Sequence, residues 1–177
     1  MRYLTLLLLV FFLPLAASPR NETAGGNLSY GQEMFDNLKV NGFVTLNGTT
    51  IVERLQMNGR LNATNAQIGD LHANGYINLY RCTVKGQSTV KGSLSGFFST
   101  FEQPITLTSA NSVFDSCSIS SIHVLQKNHA TTQNIELKGD THLTGSITFE
   151  AGNGQVIVPK ESPIDESRIV GGKLIKR

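Results

Sequence analysis

Tryptophan is absent from this 177-residue chain, proline occurs five times, cysteine twice, and charged residues make up only 16%. That charged fraction is well under the usual quarter, and the formal net charge is only +2. No basic excess is available to neutralise phosphates, which excludes a nucleic-acid-binding domain. The Ala, Glu, Lys, Leu and Arg content that helical bundles favour is missing as well. Wholesale disorder is excluded by the 40% of hydrophobic residues, enough for a core. The length suits one domain and is too small for two of ordinary size. What the chain has in quantity is small and polar: 17 Gly, 14 Asn and 31 Ser plus Thr.

One long apolar run exists, Leu4 to Leu15, preceded by Arg2 and followed by Ala16, Ala17 and Ser18. A charged start, an apolar middle and a small-residue exit form the secretory signal pattern. As a helix these twelve residues reach about 18 Å, short of the roughly 30 Å of a bilayer core. Residues 1–17 are therefore expected to be a signal peptide cleaved after Ala17. No second run could span a membrane, so the mature chain is expected to be exported, periplasmic or secreted, with no transmembrane segment.

A repeat dominates the rest. Leu38-Lys39-Val40-Asn41-Gly42 is followed by Leu55-Gln56-Met57-Asn58-Gly59 and Leu71-His72-Ala73-Asn74-Gly75, then Ser88-Thr89-Val90-Lys91-Gly92. Ile105-Thr106-Leu107 and Ile122-His123-Val124 continue it without the glycine, at a period of about 17 residues. Within one period the apolar positions alternate and fall into three columns: 38/40 and equivalents; Val44, Leu61, Ile77, Leu94; and Ile68, Val84, Phe101, Ile119, Leu137. Three short inward-facing strands per period describe one coil of a triangular, single-stranded parallel β-helix, with a right-handed crossover as the default. Asn41-Gly42, Asn58-Gly59 and Asn74-Gly75, with Gly92, occupy the turn between the first two faces, where their stacking allows an amide ladder. The rival reading, Asn-Gly hairpins in an antiparallel sheet, does not predict three columns in register. The expected layout is a leader at 18–37 able to cap the first coil, about seven coils over 38–158, and a Pro- and charge-containing tail at 159–177 with room for a terminal strand. Tyr30 to Asp36 is expected as a short turn or helix, and Gln126 to Gln133 as a polar loop.

Chemistry-bearing residues are scattered. His72 and His123 should point to solvent, too far apart to share a metal; His129 and His142 have no evident partner. Glu53, Asp70, Glu102 and Asp115 form no acid cluster, although Asp70 and Glu102, close to two periods apart, could share one line as a glycosidase pair would. Thr83-Val84-Lys85-Gly86 and Thr89-Val90-Lys91-Gly92 repeat at six residues, but the strict pattern of hexapeptide acyltransferases does not persist. Arg168-Ile169-Val170-Gly171-Gly172 matches a protease activation site with no catalytic domain after it. Cys82 and Cys117 are expected to face inward in one column, two coils apart with Ser99 between, as buried free thiols. Sequons stand at Asn21, Asn27, Asn47 and Asn62. No catalytic residue, metal or cofactor is expected.

These residues resemble the bactofilin-type polymer-forming proteins over about 38–158. The likeness rests on Leu38-Lys39-Val40-Asn41-Gly42 and Leu55-Gln56-Met57-Asn58-Gly59, on Thr83-Val84-Lys85-Gly86 and Val90-Lys91-Gly92-Ser93-Leu94, and on Leu137-Lys138-Gly139. It implies end-to-end filaments formed without nucleotide and a scaffold role at the cell envelope. The export signal departs from that family, whose members are typically cytoplasmic. The expectation is thus a non-enzymatic structural solenoid that self-associates through its coil ends or meets a glycan or envelope surface. The alternative is a carbohydrate-binding or carbohydrate-active β-helix, against which the missing Trp counts, although Tyr76 and Tyr80 lie near one another.

Overall fold

Alternating apolar residues make strands here because a closed coil needs every second side chain inside. The structure, a computed structural model, describes residues 19–126 and 132–177. The expected signal peptide and His129 lie outside the described residues. The 17 strands of the described residues join one parallel sheet that winds as a solenoid of about nine coils. The first four strands are β1 (Arg20–Tyr30), β2 (Met34–Asn47), β3 (Thr50–Thr64) and β4 (Gln67–Tyr80), and each covers most of a coil. From Thr83 onward the coils break into shorter strands, such as Ser88–Phe97 and Ile105–Thr108.

The three columns are real ladders. Leu38 lies beside Leu55, then Leu71, Ser88, Ile105 and Ile122. Val44, Leu61, Ile77 and Leu94 form the second, and Phe35, Ile51, Ile68, Val84, Phe101 and Ile119 the third. Every one of these side chains is buried. The third column differs at its end: Ile119 pairs with Leu143, while Leu137 pairs with Phe114 on the second face. Most of the loop expected from Gln126 to Gln133 lies outside the described residues, but the chain between Val124 and Asn134 shifts the count, since Ile122 meets Ile147, 25 residues on. Gln133, just before Asn134, donates from Nε2 to the carbonyls of Ser109 and Leu125 at 2.8 and 2.9 Å.

The ladder also runs past the span read for the repeat, which is why about nine coils replace about seven. In the leader, β1 pairs in register with β2, Leu28 beside Val44 and Tyr30 beside Leu46. Tyr30 to Asp36 is not a helix; after a turn at Gly31–Glu33 the strand resumes at Met34. In the tail, Ile169–Val170 pairs with Ile147–Thr148, and Gly172–Lys176 with Gly154–Val158. End coils bury one side only, so Glu22 stands beside Leu38 and Lys176 beside Val158 where inner coils carry apolar residues, and the periodic signal fades.

Two of the three corners of each coil are built on residues with positive φ. At the first, Gly42, Gly59, Gly75 and Gly92 hold φ between +128° and +136°. Backbones approach so closely there that a Cβ on Gly75 would stand 1.9 Å from the Gly59 carbonyl oxygen. Asn58 donates to the Asn41 side chain at 2.9 Å, and Asn74 continues the same row. At the second corner, Gly48, Asn65, Arg81, Phe98, Ser116 and Gly139 all take left-handed φ of +51° to +71°. Each of the first five sends its N–H to a carbonyl of the next coil, as Arg81 does to Phe97 at 2.9 Å. That bond offsets the roughly 1–2 kcal/mol that a left-handed residue with a Cβ costs.

Gly26 shares the column of Gly42, but a Cβ there would meet nothing within 4 Å. Gly75→Ala is therefore expected to cost more than about 3 kcal/mol, from backbone overlap added to φ strain, and Gly26→Ala only about 1–2 kcal/mol. Urea unfolding of the two variants against the parent checks the difference.

Candidate functional site

Asp70 and Glu102 do not share a line. Asp70 lies beside Arg54 and one position ahead of the Leu71–Ser88 pair, whereas Glu102 follows the Val84–Phe101 pair, in the row of Lys85. Asp70 is also engaged, 3.4 Å from Arg54 and accepting from the Gln87 N–H at 3.0 Å. His72 sits half-buried on the first face, His123 approaches Glu150 at 3.3 Å, and His142 is exposed. Among the described residues no group of three His, Cys, Asp or Glu could hold a metal ion, and no helix is long and apolar enough to cross a membrane. Arg168 of the protease-like motif serves a local purpose, donating to the Leu143 carbonyl at 2.6 Å.

At the N-terminal mouth, Arg20 bridges Glu22 at 3.1 Å and Glu33 at 2.8 Å, while its guanidinium lies 4.6 Å from the centre of the Phe35 ring. The Tyr30 hydroxyl donates to Glu22. Burial, aided by that bond, pushes the Tyr30 phenol up from 10 to about 12. A raised folded value means stability is complete below pH 10 and falls as pH rises from about 10 towards 12, because the unfolded phenol ionises first. Thermal melts between pH 9 and pH 12 should show a steeper loss in the parent than in Tyr30→Phe.

Cys82 and Cys117 are free and buried. The pairs Thr83–Thr100 and Thr100–Ser118 put Ser99 between them, so the two cysteines stand about 9–10 Å apart across two coil spacings, beyond disulfide reach. They belong to a column that follows the left-handed corner: Thr49, Ala66, Cys82, Ser99, Cys117 and Thr141, all small and all buried. Ser99 Oγ accepts the Cys82 N–H at 3.0 Å, and Thr141 Oγ1 accepts that of Cys117 at 3.2 Å. Burial raises both thiol pKa values, which keeps the thiols protonated and unreactive. With an aromatic disulfide reagent at pH 8, neither thiol should titrate in the native protein and both should in denaturant. Cys82→Ser, matching its column neighbour, should cost no more than about 1–2 kcal/mol, whereas Cys82→Leu should cost more through overpacking.

A groove lies at the glycine corner. Its floor is glycine backbone, at Gly75 and Gly92. One wall carries Asn74 and Lys91, and the other Tyr76 and Ser93. It encloses about 500 Å³ and adjoins a shallower hollow of about 270 Å³ that shares Asn74 and Lys91 and reaches His72. The groove closes at Ser109–Asn111, where one extra residue enters the coil: Lys91 pairs with Thr108, but Ser95 with Val113. The Ser109 hydroxyl holds that bulge, donating to the Asn111 carbonyl at 2.7 Å. Tyr76 is 63% exposed, and the Arg60 guanidinium stands 5.8 Å from its ring centre. A second aromatic contact lies at the other corner, where Tyr80 meets Phe98 edge-on at 5.8 Å.

Sequence reasoning placed Asn74, Gly75 and Gly92 at a turn but did not see that the turn is a notch with Lys91 and Tyr76 for walls. The signal was available: a row of side-chain-less residues flanked on both sides by longer ones. Comparison of the chain with protein-family models, curated proteins and solved structures finds no match.

Proposed function

We propose that this protein is an exported, non-catalytic structural solenoid that self-associates through its coil ends at the cell envelope. The observation that carries this reading is the state of the two ends. β1 pairs with β2 along one edge, and among the described residues no strand pairs with its other edge. At the opposite end the outer edges of Ile169–Val170 and Gly172–Lys176 are likewise open. Open strand edges are templates for another chain. The ends are also matched: tracing the second ladder places Leu174 in the column of Leu28 and Gly172 in that of Gly26. The bactofilin-like residue pattern supports the same reading, and the apolar run at 4–15 supports export. The separated acids and histidines support a non-catalytic role.

Sedimentation velocity across a concentration series, with negative-stain images of the same samples, tests it. Filaments or an open-ended size distribution are expected, shortened or dissolved by Leu174→Lys, which sets a charge in the stacking column. A sharp monomer or a small closed oligomer would overturn the reading.

A further inference from the structure

The groove at the glycine corner is bordered by charge of one sign. Three outward rows border it over five coils: 39-56-72-89-106 on the first face, 41-58-74-91-108 at the corner, and 43-60-76-93-111 on the second face. These fifteen positions hold Lys39, Arg60 and Lys91, with His72, and no carboxylate. The acids of the same coils, Asp36, Glu53, Asp70, Glu102 and Asp115, all fall in other rows. Among the described residues Lys39, Arg60 and Lys91 form no ion pair, although Arg54 and Arg20 do. Segregation of this kind produces a positive strip on a chain with little net charge.

We propose that this groove binds an acidic polysaccharide lying along the solenoid axis. A sugar ring would stack on exposed Tyr76, and its carboxylate or sulfate would meet Lys91. Each half of that description answers to a feature of the groove. An exposed phenol ring offers an apolar face to the C–H side of a pyranose and keeps its hydroxyl in water. Asn74, Ser93 and Asn111 supply the amides and hydroxyls that sugar hydroxyls require. Lys91, unpaired among the described residues, supplies a charge-assisted bond to an anion. The groove is shallow and open, and the rows beyond it repeat every coil, which suits a polymer better than a compact ligand. None of this uses the coil ends, so the site stands whether or not copies stack.

The test is fluorescence anisotropy of labelled oligogalacturonate and, separately, labelled heparin oligosaccharide, titrated with the purified chain. Neutral malto-oligosaccharide and a thymidine oligonucleotide serve as comparisons. Saturable binding to at least one acidic oligosaccharide is expected, weaker for the neutral one and falling with salt. Lys91→Ala and Tyr76→Ala should each weaken it at least about tenfold, the size of a lost charged hydrogen bond or aromatic contact. Lys85→Ala, an exposed lysine on the third face, should leave it unchanged. All substitutions are on the surface, and Lys91→Gln replaces the alanine variant if melting temperature drops. No saturable binding, or an equal loss with Lys85→Ala, would overturn the proposal. Tighter binding of the oligonucleotide would overturn it in favour of a nucleic-acid site.

Discussion

The close approach of backbones at the glycine corner is the constraint on which the rest of this structure depends. Successive coils must stack at about 4.8 Å for their strands to pair, and the chain must still turn out of the first face into the second. At that turn the carbonyl of one coil points into the place where the next coil's Cβ would be. Only glycine fits, and only with φ outside the range that other residues favour. Once the glycines are stacked, the neighbouring positions have no freedom of register. Leu38 and Val44 must fall beside Leu55 and Leu61, since a slip of one residue would turn every inward side chain out.

The second corner solves the same problem differently. There the turn is a single left-handed residue whose N–H bonds the next coil, and four of the six coils accommodate a side chain at it. Asn65, Arg81, Phe98 and Ser116 are tolerated because the cost is local and is offset by a backbone bond. Immediately after it the chain has room for only a small inward residue, which places the two cysteines in a column with Thr, Ala and Ser. Their burial is thus a consequence of corner geometry and calls for no redox chemistry.

This contrast explains how much could be read from residues alone. The first corner and the three apolar columns are legible because sterics and burial dictate residue type there, coil after coil. The second corner is not, because Gly, Asn, Arg, Phe, Ser and Gly share a backbone conformation and nothing else. The end coils escape for a related reason: Glu22 occupies the column of Leu38 at a mouth where Arg20 and Tyr30 satisfy its carboxylate. Leu137 is misassigned by spacing because the chain between Ile122 and Ile147 spans 25 residues instead of about 17, and only pairing reveals that it sits beside Phe114. The groove is half legible, its floor being written in the glycines and its walls in residues that look merely polar.

That division between floor and walls has a consequence for how such a solenoid could acquire a binding function. The floor cannot vary without forcing backbones apart, so it contributes shape but no selectivity. The walls are outward rows whose side chains touch little else: Lys91 is exposed, and Tyr76 contacts the Arg60 guanidinium across open surface. Changes in these rows leave the core columns untouched, so charge and stacking surface can be set there at small cost in stability. Clearing carboxylates from three adjacent rows while keeping them on the other faces, as at Asp70 and Glu102, costs the fold nothing that packing can detect. Packing therefore leaves the charge of these rows free to be fitted to a partner along the corner, such as the acidic polysaccharide proposed above.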